Sequence, residues 1–119
     1  MTSITAPQLS CVDGVFVVEP GPDYSQLYEP MLEYLGILEQ LAESADSARV
    51  VLDMNNVDLL GSAMIGYLVS TARTLSKRGG RFALANANKF CQTAINLTQL
   101  SSVLPNYEGI HAAINAVKS

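Results

Sequence analysis

The stretch from Val50 to Leu68, VVLDMNNVDLLGSAMIGYL, restricts the possible folds more than any other part of this chain. It opens on a short continuous apolar run, Val50, Val51 and Leu52, the pattern of a strand covered on both faces, as in a parallel sheet. Asp53 closes the run, Asn55 and Asn56 supply a polar turn, and Gly61-Ser62 opens an amphipathic helix with Ile65, Leu68, Ala72 and Leu75 on one stripe. Such a handover forms half of a βαβ crossover. It also lies at the carboxyl edge of the sheet, where open α/β folds place their sites.

The flanking segments extend this pattern. Residues 1–8 read as a tail and 9–119 as a single domain. Asp13-Gly14 between Leu9–Cys11 and Val15–Val18 signals a β-hairpin. Glu19-Pro20-Gly21-Pro22-Asp23 breaks the second strand, and a helix is expected from near Asp23 or Ser25, with Pro30 in its first turn or kinking it. Met31, Leu35, Leu38 and Ala42 continue at helical spacing, and Ser44–Ser47 turns into the Val50 strand. Gly79-Gly80 stops the helix after Ser62, and Phe82–Ala85 forms the next strand. Asn86–Asn88 is a turn and cap, followed by a short helix marked by Phe90, Ala94 and Leu97. Val103-Leu104-Pro105 suits a short edge strand, and a last helix from about Gly109 directs Ile110, Ala113, Ile114 and Val117 inward. The predicted class is α/β: a small mixed sheet of four to five strands with about four helices.

Composition narrows the function classes. Up to Asp58 the chain carries ten acids and one base, and beyond it six bases and one acid, so the parts hold about −9 and +5 within a net charge of −4. That balance argues against nucleic acid or anionic lipid as a partner. Arg73, Lys77, Arg78 and Arg81 gather around the end of the predicted helix, where cations meet the helix dipole; a docking role for this basic edge is the alternative. No run approaches a bilayer-spanning length and the N-terminus lacks a basic start and apolar core, so a cytoplasmic protein is expected. Cys11 and Cys91 have no CxxC or CxxH partner and read as two small buried hydrophobes.

Catalytic constellations are absent from the pattern. His111, the only histidine, falls in the last amphipathic helix and reads as a surface residue. No G-x-S-x-G elbow, Gly-rich phosphate loop or metal-ligand spacing occurs, so no enzyme, cofactor or metal is expected. Asp53 reads as a strand-end group bonding the following turn. Ser62 remains. It suits a helix N-cap, worth about 1 kcal/mol, and equally suits a phosphate acceptor, because free N–H groups and the positive dipole end stabilise added negative charge.

The run Val50–Asp53, Val57–Leu60, Gly61-Ser62-Ala63-Met64-Ile65-Gly66, then Leu68, Ala72, Leu75, Gly79-Gly80 and Arg81–Leu84, resembles the STAS domain of bacterial anti-sigma factor antagonists. The resemblance runs from about residue 10 to 117 and is specific from Val50 to Leu84. It implies a regulatory binding domain whose partner is an anti-sigma factor acting as a serine-protein kinase, with Ser62 as phosphoacceptor. It also implies partner contacts at Asp58, Leu59, Gly61, Ser62, Ala63, Met64 and Gly66. The pattern's Asp before the acceptor falls on Gly61, its second Ser on Ala63 and its first Gly on Met64, while its second Gly is kept as Gly66. Met64 suits either a partner contact or this chain's own core. The alternative reading is a scaffold that is not phosphorylated and acts through constitutive self-association or binding to another STAS protein.

Overall fold

The computed structural model of the protein describes residues 4–44 and 46–118. Residues 1–3 of the expected tail, residue 45 of the turn expected over Ser44–Ser47, and residue 119 lie outside the described residues.

Strands β1 (Gln8–Val12) and β2 (Val15–Glu19) form the antiparallel hairpin foreseen at Asp13-Gly14. Both turn residues take positive φ, 52° and 79°, the geometry that matches the twist of the flanking strands. Strands β4 (Arg49–Asp53), β6 (Arg81–Ala85) and the short β7 (Asn106–Tyr107) follow in parallel, giving a main sheet of order β1-β2-β4-β6-β7 with only the β1–β2 pair antiparallel. Strand β7 is Asn106–Tyr107, displaced from the expected Val103-Leu104-Pro105. Pro105 takes part only through its carbonyl, which accepts from the Leu84 N–H at 2.8 Å.

Alternation along β4 sends Val50 and Leu52 to one core and Val51 to the other, so the strand is buried on both faces as its apolar run requires. Helix α4 (Ile110–Lys118) covers one face through Ala113, Ile114 and Val117. Helices α1 (Gly36–Ser44) and α2 (Ser62–Lys77) cover the other, with Leu38, Ala42, Leu68, Ala72 and Leu75 in the larger core. Helix α2 stops where expected: Gly79 takes a φ of 78°, and a Cβ on Gly80 would collide with the Ala48 carbonyl.

Between β2 and α1 the chain departs from expectation. The helix expected near Asp23 or Ser25 is replaced by a 3₁₀ turn at Pro22–Tyr24, a two-residue strand β3 (Gln26–Leu27) and a 3₁₀ segment Glu29–Leu35, with α-helix only from Gly36. Pro30 sits in the first turn of that segment, where its missing N–H costs nothing. The apolar spacing still serves, since Met31, Leu35, Leu38 and Ala42 are all buried. Strand β3 pairs in parallel with β5 (Leu59–Leu60) in a separate two-stranded sheet beside the start of α2.

Cys91, on α3 (Lys89–Leu97), is buried as expected, but Cys11 is exposed. The reason is β1, which lies at the sheet edge with all five residues exposed.

Candidate functional site

The corner between β5 and α2 is fixed mainly by backbone bonds. The Ser25 carbonyl accepts from the N–H groups of Asp58 and Leu59 at 2.6 and 3.0 Å, and the Leu27 carbonyl accepts from Gly61 N–H at 2.7 Å. From the other side, Asn88 Nδ2 donates to the carbonyls of Val57 and Asp58, while Asn88 Oδ1 caps α3 by accepting from Cys91 N–H at 2.8 Å. Asp53 performs the strand-end role read from its position: Oδ1 accepts from Asn55 N–H at 3.1 Å and from Asn86 Nδ2 at 3.0 Å. One carboxylate thus ties the turn after β4 to the turn after β6.

Gly61 is the N-cap of α2, with extended backbone (φ −81°, ψ 159°), and its carbonyl accepts the first helical bond from Ile65 at 3.0 Å. Ser62 is therefore the first residue of the helix rather than its cap. Its side chain is exposed and is not consumed in capping. The N–H groups of the first turn have no helical acceptors, and that turn contains no acidic residue. A negative charge placed on Ser62 would meet the positive end of a sixteen-residue helix.

Asp58, Leu59, Ser62, Ala63 and Gly66 share the exposed surface at this corner, and Gly61 is half-buried. Met64 is the correction: it is fully buried in the larger core, which excludes it as a surface contact in this conformation. A helix turns about 100° per residue, so Met64 and Ile65 face the sheet while Ser62, Ala63 and Gly66 face outward.

Leu59, a contact expected from the sequence, borders an apolar surface of Tyr28, Phe90 and Leu97 that sequence reasoning missed. Leu59 is 53% exposed, Tyr28 50%, Phe90 74% and Leu97 80%. A groove of about 320 Å³ runs between Tyr28, Leu59, Gly61, Phe90 and Ala94, and a shallow hollow over Lys89, Phe90, Ala94 and Leu97 adjoins it. In α3, Phe90, Ala94 and Leu97 form one stripe and Cys91 and Ile95 another, and the sequence leaves open which of them turns inward. Cys91 and Ile95 are the buried pair. Burial, with the Asp58 charge adding to it, pushes the Cys91 thiol above its usual range.

His111 is exposed on α4, away from these residues in sequence. Among the described residues no group of three or more His, Cys, Asp or Glu side chains is placed to hold a metal ion, and no helix is long and apolar enough to cross a membrane.

Comparison with known proteins agrees with this architecture. A Thermotoga maritima protein named as a candidate anti-sigma factor antagonist is 27% identical over 70 residues, 59% of this chain; the match spans 62% of that protein's length. A STAS domain anti-sigma factor antagonist from Planctomyces limnophilus superposes with a TM-score of 0.85 at 21% identity, covering 96% of this chain and 98% of its own. The anti-sigma factor antagonist SpoIIAA in its unphosphorylated form gives 0.70 at 16% identity, covering 93% and 96%; its phosphorylated form gives 0.62 at 14%, covering 93% and 98%. These solved structures establish the fold. The family model of the STAS domain matches residues 32–113, well over half the chain, and the protein therefore belongs to the STAS domain family.

Proposed function

We propose that this chain is a non-enzymatic, cytoplasmic antagonist that binds an anti-sigma factor of the serine-kinase type, and that phosphorylation of Ser62 switches this binding off. The observation that carries the reading is the exposed Ser62 hydroxyl at the first position of α2, bordered by Leu59, Ala63 and Gly66 and flanked by the Tyr28–Phe90–Leu97 surface. An apolar surface of this kind suits a protein partner, and a phosphate at its margin would bring about −1.5 to −2 charges into a contact that must be desolvated. The helix end tolerates that charge, so the fold survives the modification while docking does not. The existence of SpoIIAA in phosphorylated and unphosphorylated forms supports the same scheme by analogy.

The test is co-purification of partners with the wild-type chain, followed by mass mapping of phosphate after incubation with the captured kinase and ATP. Phosphate on Ser62, absent from Ser62→Ala, is the expected result; an equally modified Ser62→Ala contradicts it.

A second reading, a constitutive STAS scaffold binding a second copy or another STAS protein, is favoured by one observation. Gly61 and Ala63 leave the corner without the acidic residue and second hydroxyl of the family pattern. A switch loses its partner on Ser62→Asp, whereas a constitutive interface elsewhere keeps it.

A further inference from the structure

Among the described residues, strand β1 has a neighbouring strand on one side alone. Its turn decides which main-chain groups are left over. Asp13 and Gly14 form a two-residue turn with positive φ at both positions, so the flanking pair Val12–Val15 exchanges both of its hydrogen bonds; alternation gives the same to Ser10–Val17 and Gln8–Glu19. Leu9 and Cys11, opposite Val18 and Phe16, therefore turn their N–H and C=O groups outward, away from β2. Pro7, which has no N–H, bounds this free edge at one end, and the Asp13-Gly14 turn bounds it at the other.

The edge lacks the devices that keep strands apart. Its five residues, QLSCV, include no charge and no proline, all are exposed, and Leu9 is exposed to 47% and Val12 to 38%. The geometry points to a second copy of this chain as the occupant, its β1 antiparallel to the first across a two-fold axis at Ser10. Each strand offers two outward donors and two outward acceptors, and this register pairs all of them: Leu9 exchanges both bonds with Cys11 of the second copy, and Cys11 with its Leu9. An axis at Leu9 would set Cys11 against Pro7, and an axis at Cys11 would set Leu9 against Asp13 in the turn. Leu9 and Cys11 stand on the face of Val18 and Phe16, so four apolar side chains carry the larger core across the joint, while Ser10 meets its own copy on the opposite face. A pair of five-residue strands buries less than the roughly 1,000 Å² of a stable interface, so the dimer dissociates on dilution and leaves Cys11 open to reagents there. The pairing draws nothing from Ser62, and its failure would leave the reading of that residue untouched.

The experiment is sedimentation equilibrium of the reduced chain from about 10 μM to about 1 mM, with Leu9→Lys beside it. The wild type passes from monomer to dimer across that range, and Leu9→Lys, which brings a charge into the joint from each copy, weakens the dimer at least about tenfold. Leu9 is exposed, and circular dichroism verifies that the variant folds. Air oxidation at the concentrated end reads the register. The introduced thiol of Ser10→Cys/Cys11→Ser faces its copy in a non-hydrogen-bonded pair, with Cα atoms about 4.5 Å apart, and forms an interchain disulfide. Wild-type Cys11 lies diagonally from its copy at about 7–8 Å, beyond easy bridging, and oxidises at least about tenfold more slowly. A monomer at every concentration, an equally tight Leu9→Lys dimer, or a Cys11 disulfide that forms as fast as that of the double variant overturns the proposal. Growth beyond the dimer overturns it too, because two-fold pairing at β1 uses up the edge.

Discussion

A Cβ added to Gly61 would stand 3.3 Å from both the Cα and the Cβ of Tyr28 and 3.4 Å from the Leu27 carbonyl oxygen. The residue before Ser62 is thus held small by the β3–β5 pair. Gly61→Ala adds a crowded methyl and contributes no cap, so it should cost about 1 kcal/mol in urea unfolding. Tyr28→Ala in the same background should restore none of it, because alanine keeps the Cα and Cβ that meet the added methyl and the Leu27 carbonyl stays in place. An unchanged unfolding midpoint for Gly61→Ala would show that the β3–β5 pair yields freely.

The two stripes of α3 should respond oppositely to truncation. Phe90→Ser and Leu97→Ser, both on the exposed stripe, should change stability by no more than about 0.5 kcal/mol while weakening partner capture. Ile95→Ala, on the buried stripe, should cost about 2–4 kcal/mol. Denaturant titration and partner pull-down of the same three variants check both halves.

The two thiols should separate cleanly in a disulfide-reagent titration near pH 8. Cys11 is exposed on the edge strand and should react at once. Cys91 is buried, and its thiol is held above the usual range by that burial and by Asp58, so it should react only on the timescale of unfolding. Simultaneous labelling of both would mean that α3 opens readily.

Alkaline stability should depend on Tyr67. Burial raises this phenol above its ordinary value of 10.0, the Glu39 N–H bonded to it opposes the shift, and the charges of Glu39 and Glu43 add to it. The folded state holds the proton more tightly than the unfolded chain, so this contribution is complete below pH 10.0 and is lost as pH rises through the folded value. Tyr67→Phe should lose about 1 kcal/mol at neutral pH, with the hydrogen bond to the Leu35 carbonyl gone, and should show a shallower decline above pH 10.0. Thermal melts across pH 7 to 11 give the slope.

Long elements with strong periodicity were legible in the chain: Val50–Asp53, the helix after Gly61, its Gly79-Gly80 stop, and the Asp13-Gly14 hairpin. Strands β3, β5 and β7 have two residues each, too few to show a period, and they exist because tertiary approach aligns them. Glu29–Leu35 kept its inward positions while adopting 3₁₀ geometry, since spacing of three or four residues serves either helix. At the site, Ser62 was found as a hydroxyl on the strand-helix corner. Met64 was ambiguous because an apolar side chain in a first helical turn suits a core or a contact equally. Phe90 and Leu97 were read as markers of a helix, and only the buried Cys91 and Ile95 disclose that their stripe faces outward.

In the proposed switch, one exposed hydroxyl controls docking at the α2 corner. Calorimetric titration of the co-purified partner with the wild-type chain and with Ser62→Asp separates the outcomes. Measurable binding by the wild type and at least about a tenfold loss in Ser62→Asp are expected, since an unpaired charge in a desolvated contact costs on the order of 1.4 kcal/mol or more. Equal affinities for the two proteins would contradict it and leave Ser62 a bystander on the first turn of α2.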